Sequence, residues 1–280
     1  MSLKVPSSLV SVNWLYNNLE NENLIILDAT ISKVLEKNKI STDKKRIKGS
    51  IFFDIKKEFS DLNSPFPNTI LSPKEFENKV QEIGVNIDSC LVVYDDNGIY
   101  SSPRVWWMFQ LMGFKNIAVL DGGMPLWRSK NYPTEKHYKT IIKLGNFKIN
   151  YQSDKIKFTS DILNNIQKKE YLVLDARSEN RFLGLVSEPR KEVKLGHIPN
   201  SKNLPFDKVL DKNRLKLKEN LKAIFLEINE KNKSLIFSCG SGITASILAL
   251  AAEITNHKDY SVYDGSWTEW GSTNNLPIEK

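Results

Sequence analysis

Clusters of cysteine or histidine are missing from this sequence. It contains 280 residues but only two cysteines, Cys90 and Cys239, and three widely separated histidines, His137, His197 and His257. Zinc sites and disulfide scaffolds require several such residues at close spacing, for example in paired CxxC motifs. We therefore expect no metal, no other cofactor and no disulfide framework.

Long hydrophobic runs are also missing. No apolar run approaches the roughly 18 residues that a membrane-spanning helix needs. Residues 1–6 contain no apolar core of a signal peptide. The chain is 40% hydrophobic and 26% charged, which is the composition of a soluble globular protein. We expect a cytoplasmic protein with no membrane partner.

Charge of one sign does not accumulate in blocks. The formal net charge is +7, but lysines and arginines alternate with acidic residues, for example over residues 207–222. This interleaving favours a solvated surface over a nucleic-acid-binding patch, so we expect no nucleic-acid partner. A modest positive field would suit a small anionic substrate.

The sequence does contain an internal repeat. Three pairs of similar segments recur in the same order and at nearly the same separation: residues 24–30 and 171–177, 46–50 and 197–201, and 119–127 and 262–270. This order indicates two copies of one domain. We predict a first domain over residues 1–138, a polar, lysine-rich linker over 139–157, and a second domain over 158–280.

Each copy alternates short buried strands with helices. Residues 91–94, for example, form an apolar run typical of a buried strand, and residues 105–112 follow as a helix. Residues 10–19 have the pattern of an amphipathic helix, with Ser7 or Ser8 as its N-cap. The alternation predicts an α/β fold in which each domain is a parallel sheet flanked by helices.

A strand, a cysteine and a helix follow one another in the second copy. Residues 235–237 predict a buried strand, and residues 245–254 an apolar helix. Between them lies the segment that we call the cysteine loop, Cys239-Gly240-Ser241-Gly242-Ile243-Thr244.

The glycines of this loop let the backbone curl around the sulfur, and the helix N-terminus favours a thiolate. The cysteine loop therefore predicts a nucleophilic Cys239; the alternative is a buried structural cysteine. The equivalent point of the first copy, around Asp95, carries no cysteine, so only the second copy has a candidate nucleophile.

Motifs along nearly the whole chain carry a family resemblance. They are RVWWMF at residues 104–109, LDGG at 120–123, LDAR at 174–177, CGSGITA at 239–245 and YDGSWTEWG at 263–271. In this order they resemble the tandem-domain sulfurtransferases of the rhodanese superfamily. The cysteine loop is similar to the C-G-S-G-V-T loop of 3-mercaptopyruvate sulfurtransferases, with Ile243 in place of valine. A related phosphatase loop would need an arginine at the position of Ala245.

The resemblance implies a reaction. Cys239 would take sulfur from 3-mercaptopyruvate as a persulfide, release pyruvate and pass the sulfur to a thiol, to thioredoxin or to cyanide. Ser241 would donate a hydrogen bond or relay a proton. The backbone of the other loop residues would bind the substrate and the anionic sulfur; these residues are Gly240, Gly242, Ile243 and Thr244.

The substrate carboxylate requires a cation. Arg181 and Arg190 match the family's two carboxylate-binding arginines, including the spacing between them. The alternative for each is an ion pair at the surface, with Glu179 and Glu188 nearby in sequence. Two further functions stay open: a thiosulfate sulfurtransferase, and a persulfide carrier with little turnover.

One position departs from the family. The family often carries His-Ile-Pro-Gly in its first domain, and that histidine is assigned to a proton relay with the loop serine and an aspartate. The matching residue here is Arg46, which cannot act as a general base near neutral pH. Either the relay is dispensable, or Arg46 acts electrostatically, or activity is reduced. Asp43, three residues upstream, has no clear match to the relay aspartate.

Several other residues receive structural interpretations. The aromatic run over residues 106–109 is expected to be helix core, and His197 and Trp270 are expected to be structural. Trp267 is a candidate for lining the pocket. Cys90 is expected to be buried and inert.

Overall fold

The computed structural model describes residues 2–31 and 45–280, and the chain divides into two units. Unit 1 contains the described part of Met1–Asp61 together with Ile70–Gln152 and Lys212–Leu215. Unit 2 contains Leu62–Thr69, Ser153–Asp211 and Lys216–Lys280. The division broadly follows the repeat, except that two short segments are exchanged between the halves.

Unit 1 is built on a parallel sheet. Its strands are β1 (Leu9–Val10), β2 (Leu24–Asp28), β3 (Arg46–Ile47), β4 (Ser50–Phe52), β5 (Cys90–Tyr94), β6 (Ile117–Leu120), β7 (Thr134–Glu135) and β12 (Arg214–Leu215). Its helices are α1 (Val12–Asn17), α2 (Pro73–Glu82), α3 (Ser102–Leu111) and α4 (Gly123–Ser129). Among the described residues, five strands pair in parallel in the order β1-β6-β5-β2-β4, and β3 pairs with β7 in antiparallel fashion.

The first helix is shorter than the sequence predicts. Residues Leu9 and Val10 form the edge strand β1 beside β6, and α1 begins at Val12. The N-cap is Ser11, whose side chain accepts a hydrogen bond from the backbone N–H of Trp14, not Ser7 or Ser8. A two-residue strand has too few residues to show an alternating pattern. The predicted helix therefore begins at Val10, inside β1.

Unit 2 repeats the same architecture. Its strands are β8 (Ile156–Lys157), β9 (Tyr171–Asp175), β10 (Lys202–Asn203), β11 (Leu210–Asp211), β13 (Ser234–Ser238) and β14 (Tyr260–Tyr263). Its helices are α5 (Thr159–Lys168), α6 (Glu179–Phe182), α7 (Lys218–Ile228), α8 (Ala245–Ile254) and α9 (Ser266–Ser272), with 3-10 turns at Ser153–Lys155 and Phe206–Val209.

The two sheets have the same topology. The order β10-β9-β13-β14-β8 in unit 2 matches β4-β2-β5-β6-β1 in unit 1, and the paired strands in both are parallel. The central strands β5 and β13 are almost wholly apolar and buried, as strands covered on both faces must be. The predicted α/β fold of two similar domains is therefore confirmed.

The segment predicted as a linker is attached to both units in turn. Residues 139–152 belong to unit 1, where the N–H of Gly145 donates to the carbonyl of Gln81 and the N–H of Phe147 to that of Val85. Residues 153–157 open unit 2. The bounds of the domains and linker given above stay a prediction.

Candidate active site

Cys239 lies directly after β13, at the carboxyl end of the unit 2 sheet. This is the edge at which parallel sheets bind ligands. The Cys239 side chain is buried, with only 1% of its surface exposed. Its backbone N–H donates to the hydroxyl of Ser266 at 3.2 Å, and its carbonyl accepts from the N–H of Trp267 at 2.9 Å. Both backbone polar groups of Cys239 are thus hydrogen-bonded to the start of α9.

The backbone of the cysteine loop is curled and largely unpaired. Gly242 has φ +79°, a left-handed conformation that suits glycine. The hydroxyl of Ser246 donates to the carbonyl of Gly242 at 3.0 Å, which holds the turn against α8. Within the part of the chain that the structure describes, the N–H groups of residues 240–244 have no recorded acceptor. The loop therefore offers amide donors to a bound anion.

Ser266 is a strained residue beside the loop. Its φ of +50° lies in the left-handed region, and the residue is fully buried. Its hydroxyl accepts from the N–H of Cys239 and donates to the carbonyl of Tyr263 at 2.9 Å. Unit 1 has Gly123, with φ +48°, at the equivalent position. Ser266 lies in the YDGSWTEWG motif, but no pattern in the sequence indicates a role for it.

Arg190 is connected to the loop through Thr268. Its Nη1 donates to the hydroxyl of Thr268 at 3.1 Å, and both the hydroxyl and the N–H of Thr268 donate to the carbonyl of Gly240. Burial and the positive charge of Arg181 lower the pKa of Arg190, whereas Cys239 and Glu188 act in the opposite direction. A guanidinium retains its charge under such influences. Arg190 is therefore a cation within electrostatic reach of the cysteine.

Arg181 lies against the loop but is also ion-paired. A Cβ built on Gly240 would lie 3.3 Å from its Nη2, so the absence of a side chain at Gly240 lets the guanidinium approach the backbone. The Nε of Arg181 donates to Glu188 at 3.2 Å, and its Nη2 forms a short hydrogen bond to the same carboxylate. The ion pair with Glu188 that was the alternative interpretation is thus present, and it positions Arg181 at the cysteine loop.

Arg177 extends this arrangement into the core. It is fully buried and donates to Asp175 at 2.7 Å, to Glu188 at 2.8 Å and to the carbonyl of Gly196 at 2.8 Å. Its guanidinium lies 4.4 Å from the ring centre of Trp267, so that ring packs on a cation. Arg177 ends the LDAR motif, but no pattern in the sequence indicates a role for it. Its partner Glu188 follows eleven residues later, a spacing without periodic meaning.

The charges of this cluster leave a positive excess. Three guanidinium groups, Arg177, Arg181 and Arg190, face two carboxylates, Asp175 and Glu188. Buried charges are costly unless they are compensated. Among the described residues, these five groups leave one positive charge, which a Cys239 thiolate or an anion bound beside the cysteine loop would balance.

Ser241 has a partner that the sequence did not reveal. The Nδ2 of Asn68 donates to the Ser241 hydroxyl at 2.9 Å and faces the Ser241 carbonyl at 3.3 Å. Asn68 lies in Leu62–Thr69, the segment of the first half of the chain that belongs to unit 2. No local pattern marks a residue that reaches its partner across 173 positions.

Arg46 contacts two residues of unit 1, Tyr138 and Lys136. Its guanidinium lies 4.0 Å from the ring centre of Tyr138 and donates to the carbonyl of Lys136. Within unit 2, the residue that hydrogen-bonds Ser241 is Asn68. Asp43 lies outside the described residues.

Four other residues are buried, as their structural interpretations require. Trp106 and Trp107 are fully buried in α3. His197 is buried, stacks on Phe182 at 3.8 Å between ring centres and contacts the Phe182 carbonyl through Nδ1 at 3.0 Å. Cys90 is buried and free, and burial raises the pKa of its thiol to about 11.

The described part of the chain comprises residues 2–31 and 45–280. Over these ranges, no group of three or more histidine, cysteine, aspartate or glutamate side chains is arranged to hold a metal ion. In the same ranges, no helix is long and apolar enough to cross a membrane.

Family comparison agrees with the fold. The Rhodanese-like domain family matches residues 11–130 and residues 159–273, one match in each copy of the repeat. The chain therefore belongs to the rhodanese family.

Individual relatives resemble the chain along nearly its whole length. The 3-mercaptopyruvate sulfurtransferase of Mus musculus is 36% identical over 273 residues, which cover 94% of this chain and 91% of the relative. The mitochondrial thiosulfate/3-mercaptopyruvate sulfurtransferase 1 of Arabidopsis thaliana is 34% identical over 302 residues, covering 99% and 79%. The crystal structure of SseA from Escherichia coli superposes with a TM-score of 0.83 at 29% identity, covering 93% of this chain and 99% of SseA.

Proposed function

We propose that this chain is a sulfurtransferase that takes sulfur from 3-mercaptopyruvate through a persulfide on Cys239. One observation supports the proposal most directly. The cysteine loop, with its unpaired amides, lies beside two guanidinium groups, Arg181 against Gly240 and Arg190 through Thr268. Such a site suits a small donor that carries both a sulfur and a carboxylate.

The first half-reaction balances without an added reagent. The Cys239 thiolate attacks the sulfur of the donor, an S–S bond forms, and the C–S bond breaks. The electron pair of that bond leaves on the three-carbon fragment as the enolate of pyruvate. The proton of the donor thiol then passes from the new persulfide to the enolate. The products are pyruvate and a Cys239 persulfide anion, whose charge the loop amides can stabilise.

The second half-reaction returns the enzyme to its starting state. A thiol or cyanide attacks the outer sulfur, the S–S bond breaks, and its electron pair returns to Cys239 as the thiolate. A small thiol or a thioredoxin-like protein is the proposed acceptor. The cytoplasm remains the proposed location, and the mitochondrial name of the plant relative makes the mitochondrion the alternative to test.

The arginines are assigned to the donor carboxylate. A planar guanidinium matches a carboxylate through two parallel N–H donors. Some of the N–H donors of Arg181 are already bonded to the Glu188 carboxylate. Arg190, in contrast, donates to the neutral hydroxyl of Thr268. Arg190 is therefore the principal carboxylate anchor in this proposal, and Arg181 supplies a second positive charge at Gly240.

Donor competition tests this function. Steady-state rates should be measured with 3-mercaptopyruvate and with thiosulfate, using cyanide as the common acceptor and Cys239→Ser as the inactive control. The proposal predicts a higher kcat/KM with 3-mercaptopyruvate. A preference for thiosulfate would identify a thiosulfate sulfurtransferase. A single burst of product without turnover would identify a persulfide carrier.

A further inference from the structure

The contact between Asn68 and Ser241 fixes the direction of a hydrogen bond in the active site. The same side-chain atom of Asn68 faces two oxygens of Ser241, the hydroxyl at 2.9 Å and the backbone carbonyl at 3.3 Å. A backbone carbonyl can only accept a hydrogen bond, so the atom that faces it must be the amide nitrogen. The Ser241 hydroxyl consequently accepts from Asn68.

A hydroxyl that accepts from one neighbour keeps its own hydrogen for another. Ser241 carries one O–H donor, and none of its recorded contacts to described residues uses that hydrogen. The side chain is 7% exposed and lies two residues after Cys239. The Asn68 contact therefore leaves the Ser241 proton available to a molecule bound at the cysteine loop.

The segment around Asn68 holds the amide in place. Within it the hydroxyls of Ser64 and Thr69 lie 2.7 Å apart, the N–H of Phe66 donates to Ser64, and the Thr69 hydroxyl donates to the Phe66 carbonyl. Asn68 itself has φ +62°, which asparagine tolerates better than most residues. The backbone conformation and the side-chain contact thus favour the same residue type.

We propose that Asn68 is a positioning residue for sulfur transfer, which orients Ser241 so that its hydroxyl donates to the oxygen of the departing enolate. This inference rests on the function proposed above and deepens it. An amide has no proton to exchange near neutral pH, so Asn68 cannot serve as a general acid or base. None is needed, because the proton that the enolate acquires comes from the donor's own thiol. The contribution of Asn68 is orientation alone.

Two variants at Asn68 separate orientation from structure. Asn68→Gly removes the amide and keeps the left-handed backbone without strain. Asn68→Asp keeps the volume and also tolerates this backbone, but its carboxylate can only accept. The carboxylate would accept a hydrogen bond from the Ser241 hydroxyl, and its charge would repel the Ser241 carbonyl oxygen. Asn275, exposed and with φ +65°, gives a matched control as Asn275→Gly.

The proposal predicts an order of effects on turnover. Asn68→Gly should lower kcat by about tenfold with little change in KM, the effect of one lost orienting hydrogen bond. Asn68→Asp should lower kcat further although it is the more conservative change in shape. Asn275→Gly should match the wild type. The double variant Asn68→Gly/Ser241→Ala should be no slower than Ser241→Ala alone, because the proposed effect of Asn68 on turnover passes through Ser241.

Rates with 3-mercaptopyruvate, together with melting temperatures, give the readout. A kcat for Asn68→Gly equal to that of the wild type overturns the inference. So does an Asn68→Asp variant faster than Asn68→Gly, or a loss additive with Ser241→Ala, because each indicates a merely structural role. In all three cases the wild type still forms the persulfide and the proposed function stands. A wild type that forms no persulfide overturns both.

Discussion

The two copies place different side chains at the same point of the same fold. Asp95 follows β5 in unit 1 as Cys239 follows β13 in unit 2, and the carbonyl of each accepts from the start of the helix after the next strand. In unit 1 one carboxylate oxygen of Asp95 accepts three backbone N–H groups within 3.0 Å, from Tyr100, Ser101 and Ser102, and the Ser102 hydroxyl besides.

The two loops differ in whether their backbone N–H donors have partners. The turn after the central strand supplies amide donors in both copies. We call residues 95–101 the aspartate loop; it satisfies these donors with a side chain of its own. The cysteine loop leaves its amides to a ligand or to water. A buried donor without a partner costs roughly 1–3 kcal/mol, so the aspartate loop favours stability and the cysteine loop favours binding.

A second difference lies beneath the two loops. Asp28 in unit 1 is bonded to hydroxyls, including Tyr94 at 3.0 Å and Tyr138 at 3.1 Å. Its counterpart Asp175 in unit 2 is bonded to the guanidinium of Arg177. Burial raises the pKa of Asp28. The guanidinium that donates to this carboxyl in unit 2 is thus replaced in unit 1 by tyrosine hydroxyls.

The largest expected effect concerns the arginines of unit 2. Arg190→Ala should lower kcat/KM for 3-mercaptopyruvate by about 100-fold or more, because a charged hydrogen bond to the carboxylate is lost in the transition state. Arg181→Ala should act in the same direction. Lys191→Ala, an exposed cation next in sequence, is the matched control and should have no effect. An unchanged kcat/KM would remove the altered arginine from the site.

The next effect concerns the aspartate loop. Asp95→Ala removes the acceptor of three backbone amides, two of them buried, so we expect the free energy of unfolding to fall by about 3 kcal/mol. Urea denaturation of the full chain measures it, with Asp88→Ala at an exposed aspartate of unit 1 as control. A loss below about 1 kcal/mol would show that the two loops do not differ in the way described.

The smallest effect is a pH dependence at Asp28. The pKa of Asp28 is raised in the folded state above the unfolded value near 3.9. A carboxyl of this kind stabilises the fold most below the unfolded pKa, and that stability is lost as the pH rises through the folded pKa.

Asp28→Asn removes this loss. Its free energy of unfolding relative to the wild type should therefore increase as the pH rises above about 4 and level off above the folded pKa. Urea midpoints measured across pH for both proteins test the sign. A difference that decreases with pH would contradict the assignment.

Much of the fold could be predicted from the sequence because its strongest signals are local. Buried central strands such as β5 and β13 are continuous apolar runs, and the repeat shows in the aligned Asp-Ala and Asp-Gly segments. Two-residue strands such as β1 have no such signal. The exchange of Leu62–Thr69 into unit 2 depends on tertiary contacts, which no periodicity encodes.

The site, like the fold, contains residues that could be predicted from the sequence and residues that could not. Cys239 was predictable because its cysteine, glycines and helix are contiguous, and Arg181 and Arg190 because a resemblance supplied their spacing. Asn68 was not, since it contacts the loop across 173 residues from a segment of turns. The position of Arg177 in the site could not be predicted, because it depends on a buried ion pair with Glu188 that forms only when the chain is packed.

The central claim is that Cys239, in the cysteine loop of unit 2, accepts sulfur and that Cys90 does not. The most direct test is mass spectrometry of the intact and digested protein after exposure to 3-mercaptopyruvate without an acceptor. Our account predicts a gain of one sulfur atom, located on Cys239, with none on Cys90 and none in Cys239→Ser. An unmodified Cys239, or sulfur located on Cys90, would contradict it.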